Sequence, residues 1–332
     1  MWRLAGQTIV IVGGTSGLGL SSALACQAAG ARLVVVGRDD SHLPAARSAL
    51  GPDVRVLAGD ATEPDTAPHA IRTALDAFGG FHGLYHVAGG SGRRFGDGPL
   101  HELSDAGWEA TLQLNLTSVF YSNRAAARQF LAQGTGGVVL NLASVLAFSP
   151  SPEHFASHAY AAAKAAILGL VRSAASFYAP RQIRFNVLAP GLIATPMSER
   201  AQSDAVIRQF IRTKQPLDGG RIGQPTDLDA AVVFFLSDEA RFVTGQCLAV
   251  DGGWSVSEGR ENSRARGGAG VSPAAPCGAG VSPAVPCGAG VSPAHPSDVC
   301  PPVDPPSGSS PSSLPASPLP HPPRHSSPPP LP

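Results

Sequence analysis

Seven short runs rich in Val, Ile and Leu recur at 8–12, 32–36, 54–58, 83–87, 137–142, 183–188 and 247–250, and most are separated by Ala-rich or amphipathic stretches of helical length. This alternation constrains the fold more than any other feature of the chain. Strand, helix and strand in succession imply parallel strands joined by crossovers, so the expected class is α/β. The sheet is predicted to be doubly wound, with seven parallel strands and helices on both faces. The strands read as continuous apolar runs because both faces are covered.

The 332 residues carry 24 Lys plus Arg against 24 Asp plus Glu. A net charge of zero removes the broad basic face of a nucleic-acid binder, so nucleic acid is not an expected partner. Of 32 prolines, 12 fall in 1–259 and 20 in 260–332, and no aromatic residue or Ile follows Trp254. A segment without large apolar side chains cannot offset the entropy of ordering itself. The chain is therefore read as one domain over 1–256 and a disordered Pro/Gly/Ser/Ala-rich tail over 257–332. The tail contains three decapeptide repeats, beginning at Gly268, Gly278 and Gly288. The longest apolar run, 230–236, is far short of the ~20 residues a membrane span needs, and no secretory leader is recognisable. A soluble cytoplasmic protein is expected. Cys26 and Cys247, near opposite ends of the domain, suggest no disulfide framework.

The first run leads directly into Val12-Gly13-Gly14-Thr15-Ser16-Gly17-Leu18-Gly19 and then an Ala-rich helix. Glycines at such a junction permit a tight turn, close approach of the backbone to a pyrophosphate, and a helix N-terminus facing the phosphates. A Rossmann-type dinucleotide site is expected. The only lysines are Lys164 and Lys214, so a P-loop is excluded.

Tyr160 and Lys164 lie four apart in a helical run and project from one face. A neighbouring ammonium favours the phenolate, making Tyr160 a proton donor and acceptor near neutrality. Ser144 follows the run 137–142, at the strand edge where doubly wound folds bind ligands.

The spacing Gly13-x-x-x-Gly17-x-Gly19, the Tyr160-x-x-x-Lys164 pair with Ser144 upstream, Asn115 in Leu114-Asn115-Leu116-Thr117, the 186–195 segment and the ending Val250-Asp251-Gly252-Gly253-Trp254 together resemble the short-chain dehydrogenase/reductase family, from residue 6 to 254 in the right order. The resemblance implies an NAD(P)-dependent oxidoreductase acting on a carbonyl or secondary alcohol of a small molecule. It implies Tyr160 as general acid/base, Lys164 lowering its pKa and bonding the nicotinamide ribose, Ser144 orienting the substrate, and Asn115 holding a relay water. It also implies cofactor contacts from Gly13, Thr15, Ser16, Gly17, Leu18 and Gly19, from Asp60 at the adenine, from Ala88 and Gly89, and from Pro190, Gly191 and Thr195 at the nicotinamide end. Members commonly dimerise or tetramerise through helices corresponding to 115–133 and 159–178, and a homodimer or homotetramer is expected.

Gly37 stands where NAD users of the family carry an acid, and Arg38 follows it. A 2′-phosphate favours a cation, so NADP(H) is preferred, with NAD(H) open because Asp39 and Asp40 are close. Val12 and His86-Val87 depart from the family pattern, and an apolar contact between Val12 and Val87 is expected in place of a polar one. The loop between Ser144 and Tyr160 is enlarged and should border the substrate. Phe95, Phe148, Phe155, Leu192 and Met197 are candidates for an apolar pocket, and Arg93 and Arg94 for an anion contact or a solvated loop. His82 with His86, and His154 with His158, have metal-like spacing but no third ligand, so no metal is expected. The rival readings are a cofactor-binding protein that has lost turnover and whose tail recruits a partner, and an extended-branch epimerase, which the glycine spacing disfavours.

Overall fold

The computed structural model describes residues 3–259. The repeats and nearly all of the expected tail lie outside the described residues.

Each of the seven apolar runs is a strand: β1 (Thr8–Val12), β2 (Arg32–Gly37), β3 (Arg55–Ala58), β4 (Gly83–His86), β5 (Gly137–Leu142), β6 (Ile183–Pro190) and β7 (Cys247–Val250). They form one sheet in the order β3-β2-β1-β4-β5-β6-β7, parallel throughout. Between them run α1 (Gly17–Ala28), α2 (Leu43–Leu50), α3 (Thr66–Phe78), α4 (Asp105–Leu112), α5 (Ser118–Gln133), α6 (His158–Tyr178), α7 (Glu199–Ser203), α8 (Ala205–Lys214) and α9 (Asp229–Leu236).

Alternate strand residues divide into two cores. Ile9, Ile11, Leu33, Val35 and Leu140 pack with side chains of α1, α2 and α9. Val10, Val12, Val34, Val36 and Val139 pack with those of α3, α5 and α6. Burial on both faces explains the uninterrupted apolar runs. Strand order reverses between β1 and β4, and such a switch point opens a crevice at the carboxyl ends of the strands. A third cluster of Val145, Ala201, Ile207, Ile211 and Trp254 closes one side of that crevice.

The chain remains engaged just past residue 256. Lys214 Nζ donates to the Ser257 carbonyl at 2.6 Å, and Thr213 Oγ1 to that of Gly259 at 2.9 Å. No helix among the described residues is long and apolar enough to cross a membrane.

Candidate active site

The glycine spacing is set by backbone meeting backbone. Gly13 has φ +93°, and a Cβ there would lie 2.5 Å from the Ala88 nitrogen; one on Gly19 would lie 2.0 Å from the Gly13 oxygen. The N–H groups of Gly13 and Gly14 both donate to the Val36 carbonyl, at 2.8 and 3.0 Å. This pins the turn to the sheet and leaves the start of α1 facing the crevice. Ser16 is the N-cap, its hydroxyl makes no capping bond, and no acid occupies the first turn. A helix N-terminus of this kind suits a pyrophosphate, so the residues present fit a dinucleotide. Thr15, Ser16, Gly17 and Leu18 line a cleft of about 760 Å³ that continues past Ser144 and Tyr160 to Trp254.

At the β2 end of the cleft, Thr15 and Gly37 are interlocked: a Cβ on Gly37 would lie 2.0 Å from Thr15 Oγ1. Asp39 does not point freely into this space, because its carboxylate accepts from the Ser41 N–H and hydroxyl at 3.0 and 2.7 Å. Those bonds hold its pKa below the usual carboxylate value. Arg38 lines the cleft 3.6 Å from Asp60 Oδ2, with half its side chain exposed. Asp60 Oδ1 in turn accepts from the Thr62 N–H and hydroxyl.

The β4 departure resolves differently from the sequence expectation. Val12 belongs to one core, whereas Val87 packs against the other, so the two side chains do not replace a polar contact. The link is main chain: the N–H groups of Val87 and Ala88 both donate to the Val12 carbonyl at 2.9 Å. His86, fully buried, supplies the polar anchor. Its Nε2 donates to the Ala88 carbonyl at 3.2 Å, which leaves Nδ1 to accept from the Ser122 hydroxyl at 2.9 Å. Burial first, then Lys164, pushes its pKa down to about 3.

Asn115, also fully buried, lies in a π turn spanning Gln113–Thr117 between α4 and α5. Its Oδ1 accepts from Gly90 N–H, and its Nδ2 donates to the carbonyls of Gly90 and Thr111, all at 3.0 Å. Both amide hydrogens are thus engaged, one on the segment after β4 that carries Ala88 and Gly89 and one on the last turn of α4. A Cβ on Gly89 would meet Asn115 Oδ1 at 2.8 Å and Lys164 Nζ at 3.4 Å, so glycine is what lets the three segments converge.

Ser144, two residues beyond β5, caps a short turn by accepting from the Leu146 N–H at 3.2 Å. It also lies close enough to the Tyr160 phenol to draw its pKa down, against the larger opposite effect of burial. Lys164 Nζ donates to the Leu142 carbonyl at 2.9 Å and sits 5.6 Å from the centre of the Tyr160 ring. Sequence predicts a depressed Tyr160 pKa, but burial pushes it up to about 12, offset only in part by Ser144. Lys164 is itself brought down to about 8 by burial. Desolvation is the larger cause, and Lys164, whose hydrogen bond is aimed at the Leu142 carbonyl, is not among the groups that shift the phenol.

Five residues hold the site in ways the sequence did not suggest; Asp97, Ser122 and Gln215 lay outside the sequence reading, and His86 and Trp254 were named there without such a role. Asp97, buried, accepts from the N–H groups of Ala159 and Tyr160 at 2.9 and 3.0 Å and so caps α6 from another segment. His86 and Ser122 tie β4 to α5. Gln215 accepts from the Leu192 N–H at 2.5 Å and donates to its carbonyl, fixing the loop of Pro190, Gly191 and Thr195 against the cleft. Trp254 donates to the Ser149 carbonyl at 3.1 Å and packs edge-on against Phe155. The one signal for Asp97 was its place in the glycine-rich stretch after β4; its partners lie 62 and 63 residues away.

Phe155, Leu192 and Met197 line the cleft. Phe148 is exposed, and Phe95 lies under the Arg94 guanidinium at 4.5 Å. The histidines serve other ends: His82 Nδ1 accepts from the Thr8 N–H, and His154 packs on Phe210. Among the described residues, no three metal-binding side chains come together.

A family model described as enoyl-(acyl carrier protein) reductase matches residues 12–255. The chain is 33% identical over 257 residues to the 2,5-dichloro-2,5-cyclohexadiene-1,4-diol dehydrogenase of Sphingobium indicum, covering 77% of this chain and all of that protein. It is 32% identical to 3beta-hydroxysteroid dehydrogenase 2 of Eggerthella lenta, covering 76% and 96%. A short-chain type dehydrogenase/reductase from Mycobacterium ulcerans superposes with a TM-score of 0.70 at 31% identity, covering 77% of this chain and 92% of that one. With fold, motif order and extent shared in this way, the chain belongs to the short-chain dehydrogenase/reductase family of NAD(P)-dependent oxidoreductases acting on alcohol and carbonyl groups.

Proposed function

We propose that the protein exchanges hydride between NADP(H) and a secondary alcohol or ketone, with Tyr160 moving the proton. The observation that carries this reading is that Ser144 and Tyr160 line the same cleft, with Lys164 one helical turn along from Tyr160. The chemistry supplied by a bound nicotinamide is acceptance or donation of hydride at the substrate carbon. Gly13, Gly17 and Gly19 with the start of α1 would hold its phosphates, Asp60 the adenine side, and Pro190, Gly191 and Thr195 the nicotinamide side. Ala88 and Gly89 form the floor between them.

The chain's own residues handle the proton. Ser144 orients the substrate oxygen beside the Tyr160 hydroxyl. A phenol held at about 12 is protonated at neutral pH, ready to give its proton to an oxygen that gains charge as hydride arrives. Lys164 stabilises the resulting phenolate. Asn115 holds a relay water through an oxygen, since its amide hydrogens are engaged.

Tyr160→Phe removes the donor and leaves the cofactor contacts. Its kcat is expected to fall ~100-fold or more, the usual worth of general acid/base catalysis, with the Kd for NADPH unchanged by calorimetry. Retention of a tenth of the activity rejects the assignment. The choice of NADP(H) over NAD(H) is supported by Arg38 at the cleft and by the Thr15 and Gly37 interlock.

A further inference from the structure

Arg93, Arg200 and His154 come from three separate segments: the turn after β4, the start of α7, and the enlarged loop before α6. One atom joins them. Nη2 of Arg93 donates to the His154 carbonyl at 3.1 Å, and Nη2 of Arg200 donates to the same oxygen at 3.2 Å. The two nitrogens are therefore no further apart than those two bonds laid end to end. Both arginines line the cleft that also contains Ser144 and Tyr160.

Like charges so close need a counter-charge, and among the described residues Asp97 and Asp204 act on the pair only from beyond ion-pair distance. Among the described residues, neither Arg93 nor Arg200 has a carboxylate within 4.0 Å. The nearby acids are committed to main chain. Asp97 spends both oxygens on the N–H groups of Ala159 and Tyr160, and Asp204 caps α8 through Val206 and Ile207. Partial burial of Arg93, with Arg200 beside it, disfavours its charged form, and Asp97 offsets this only in part. One carbonyl satisfies one donor of each guanidinium, and their other donors remain for a ligand. A planar guanidinium pair of this kind matches an oxyanion.

We propose that Arg93 and Arg200 form an anion subsite, so that the substrate is a hydroxy or oxo compound carrying a carboxylate or phosphate. The anion is held at the arginines while the reacting carbon lies at Ser144 and Tyr160. Phe155 and Trp254 give the space between an apolar wall. This assignment rests on the oxidoreductase reading of the same cleft and narrows its substrate class. It also gives the enlarged loop a task, since that loop supplies the carbonyl on which both arginines are hung.

The test uses the full-length protein with NADP⁺. Aliphatic hydroxycarboxylates are each paired with the primary amide, and hydroxyalkyl phosphates with the parent diol. Calorimetry reads affinity, and NADPH formation is read separately. At least one anion is expected to bind ~10-fold or more tightly than its neutral partner, and the pair that shows the ratio tells carboxylate from phosphate. Arg93→Gln with Arg200→Gln removes both charges and leaves a shorter, neutral amide side chain at each position. This double variant should lose the ratio, each anion then binding no more tightly than its neutral partner, while a cooperative thermal transition shows that it is folded. Anions binding no better than neutral partners, or a preference that survives in the double variant, overturns the subsite. Charge preference without NADPH formation from any compound counts against the oxidoreductase reading and leaves the subsite standing.

Discussion

We propose that the choice of cofactor is made sterically at Gly37. The family's NAD-type acid at this position would need a Cβ 2.0 Å from Thr15 Oγ1, so the two residues exclude it together. Asp39, the nearest substitute, is tied to Ser41. Arg38 is then the charged group free to turn from Asp60, 3.6 Å away, toward a 2′-phosphate. A charge-assisted bond is worth ~1.5–3 kcal/mol, so Arg38→Ala is expected to weaken NADPH ~10- to 150-fold and leave NADH nearly unchanged, as read by fluorescence titration. Equal weakening of both cofactors would remove Arg38 from this role.

Elements meet at the site through a few buried polar side chains. Asp97 caps the first turn of α6, where the unpaired N–H groups and the helix dipole both favour a carboxylate, and so sets where Tyr160 begins its helix. His86 does the corresponding work between β4 and α5, and it does so neutral. The sign follows from linkage. Unfolded, this histidine takes a proton below pH 6.5; folded, it resists until about 3. Between those values the unfolded state binds more protons, so stability falls as pH falls, by at most about 1.4 kcal/mol per pH unit. Above pH 6.5 this contribution is complete. Urea titrations of wild type and His86→Asn from pH 7.5 to 4 are expected to show a shallower acid loss in the variant; parallel curves would show that His86 is not the group responsible.

On the scale of the whole molecule, α6 presents Ala162, Ala165, Ala166 and Gly169 on its exposed side, and Phe120 on α5 and Phe177 on α6 are exposed large apolar side chains. Small residues allow close helix approach, and a homodimer or homotetramer through α5 and α6 is our proposal for what covers them. Light scattering at micromolar concentration should give an oligomer mass for the wild type and a smaller one for Ala165→Arg; a monomeric wild type would reject the arrangement. The domain boundary is also testable. Lys214 and Thr213 hold the carbonyls of Ser257 and Gly259, so truncation after Gly259 is expected to leave Tm and activity unchanged. Truncation after Val256 should lower Tm by a few degrees, through the loss of two side-chain hydrogen bonds of about 1 kcal/mol each. A large loss of activity in the longer form would make the Pro-rich segment part of the working enzyme.

Local pattern in the chain was enough for the strands and the glycine turn, whereas Ser144, Tyr160 and Lys164 were singled out only by spacing together with the family resemblance. Apolar runs, helical spacing and turn residues act over a few positions, and β1, β5 and β7 fall on the residues expected of them. Tertiary structure alone decided the state of those side chains and what holds them. Tyr160 is raised rather than lowered because desolvation depends on everything packed around the phenol, which no spacing encodes. Val12 and Val87 are parted by the two-sidedness of a sheet whose register is set by its neighbours. Asp97 and Tyr160, Gln215 and Leu192, and Arg93 and Arg200 on one His154 carbonyl are partners far apart in the chain, brought together only when the crossovers deliver their loops to the same edge of the sheet.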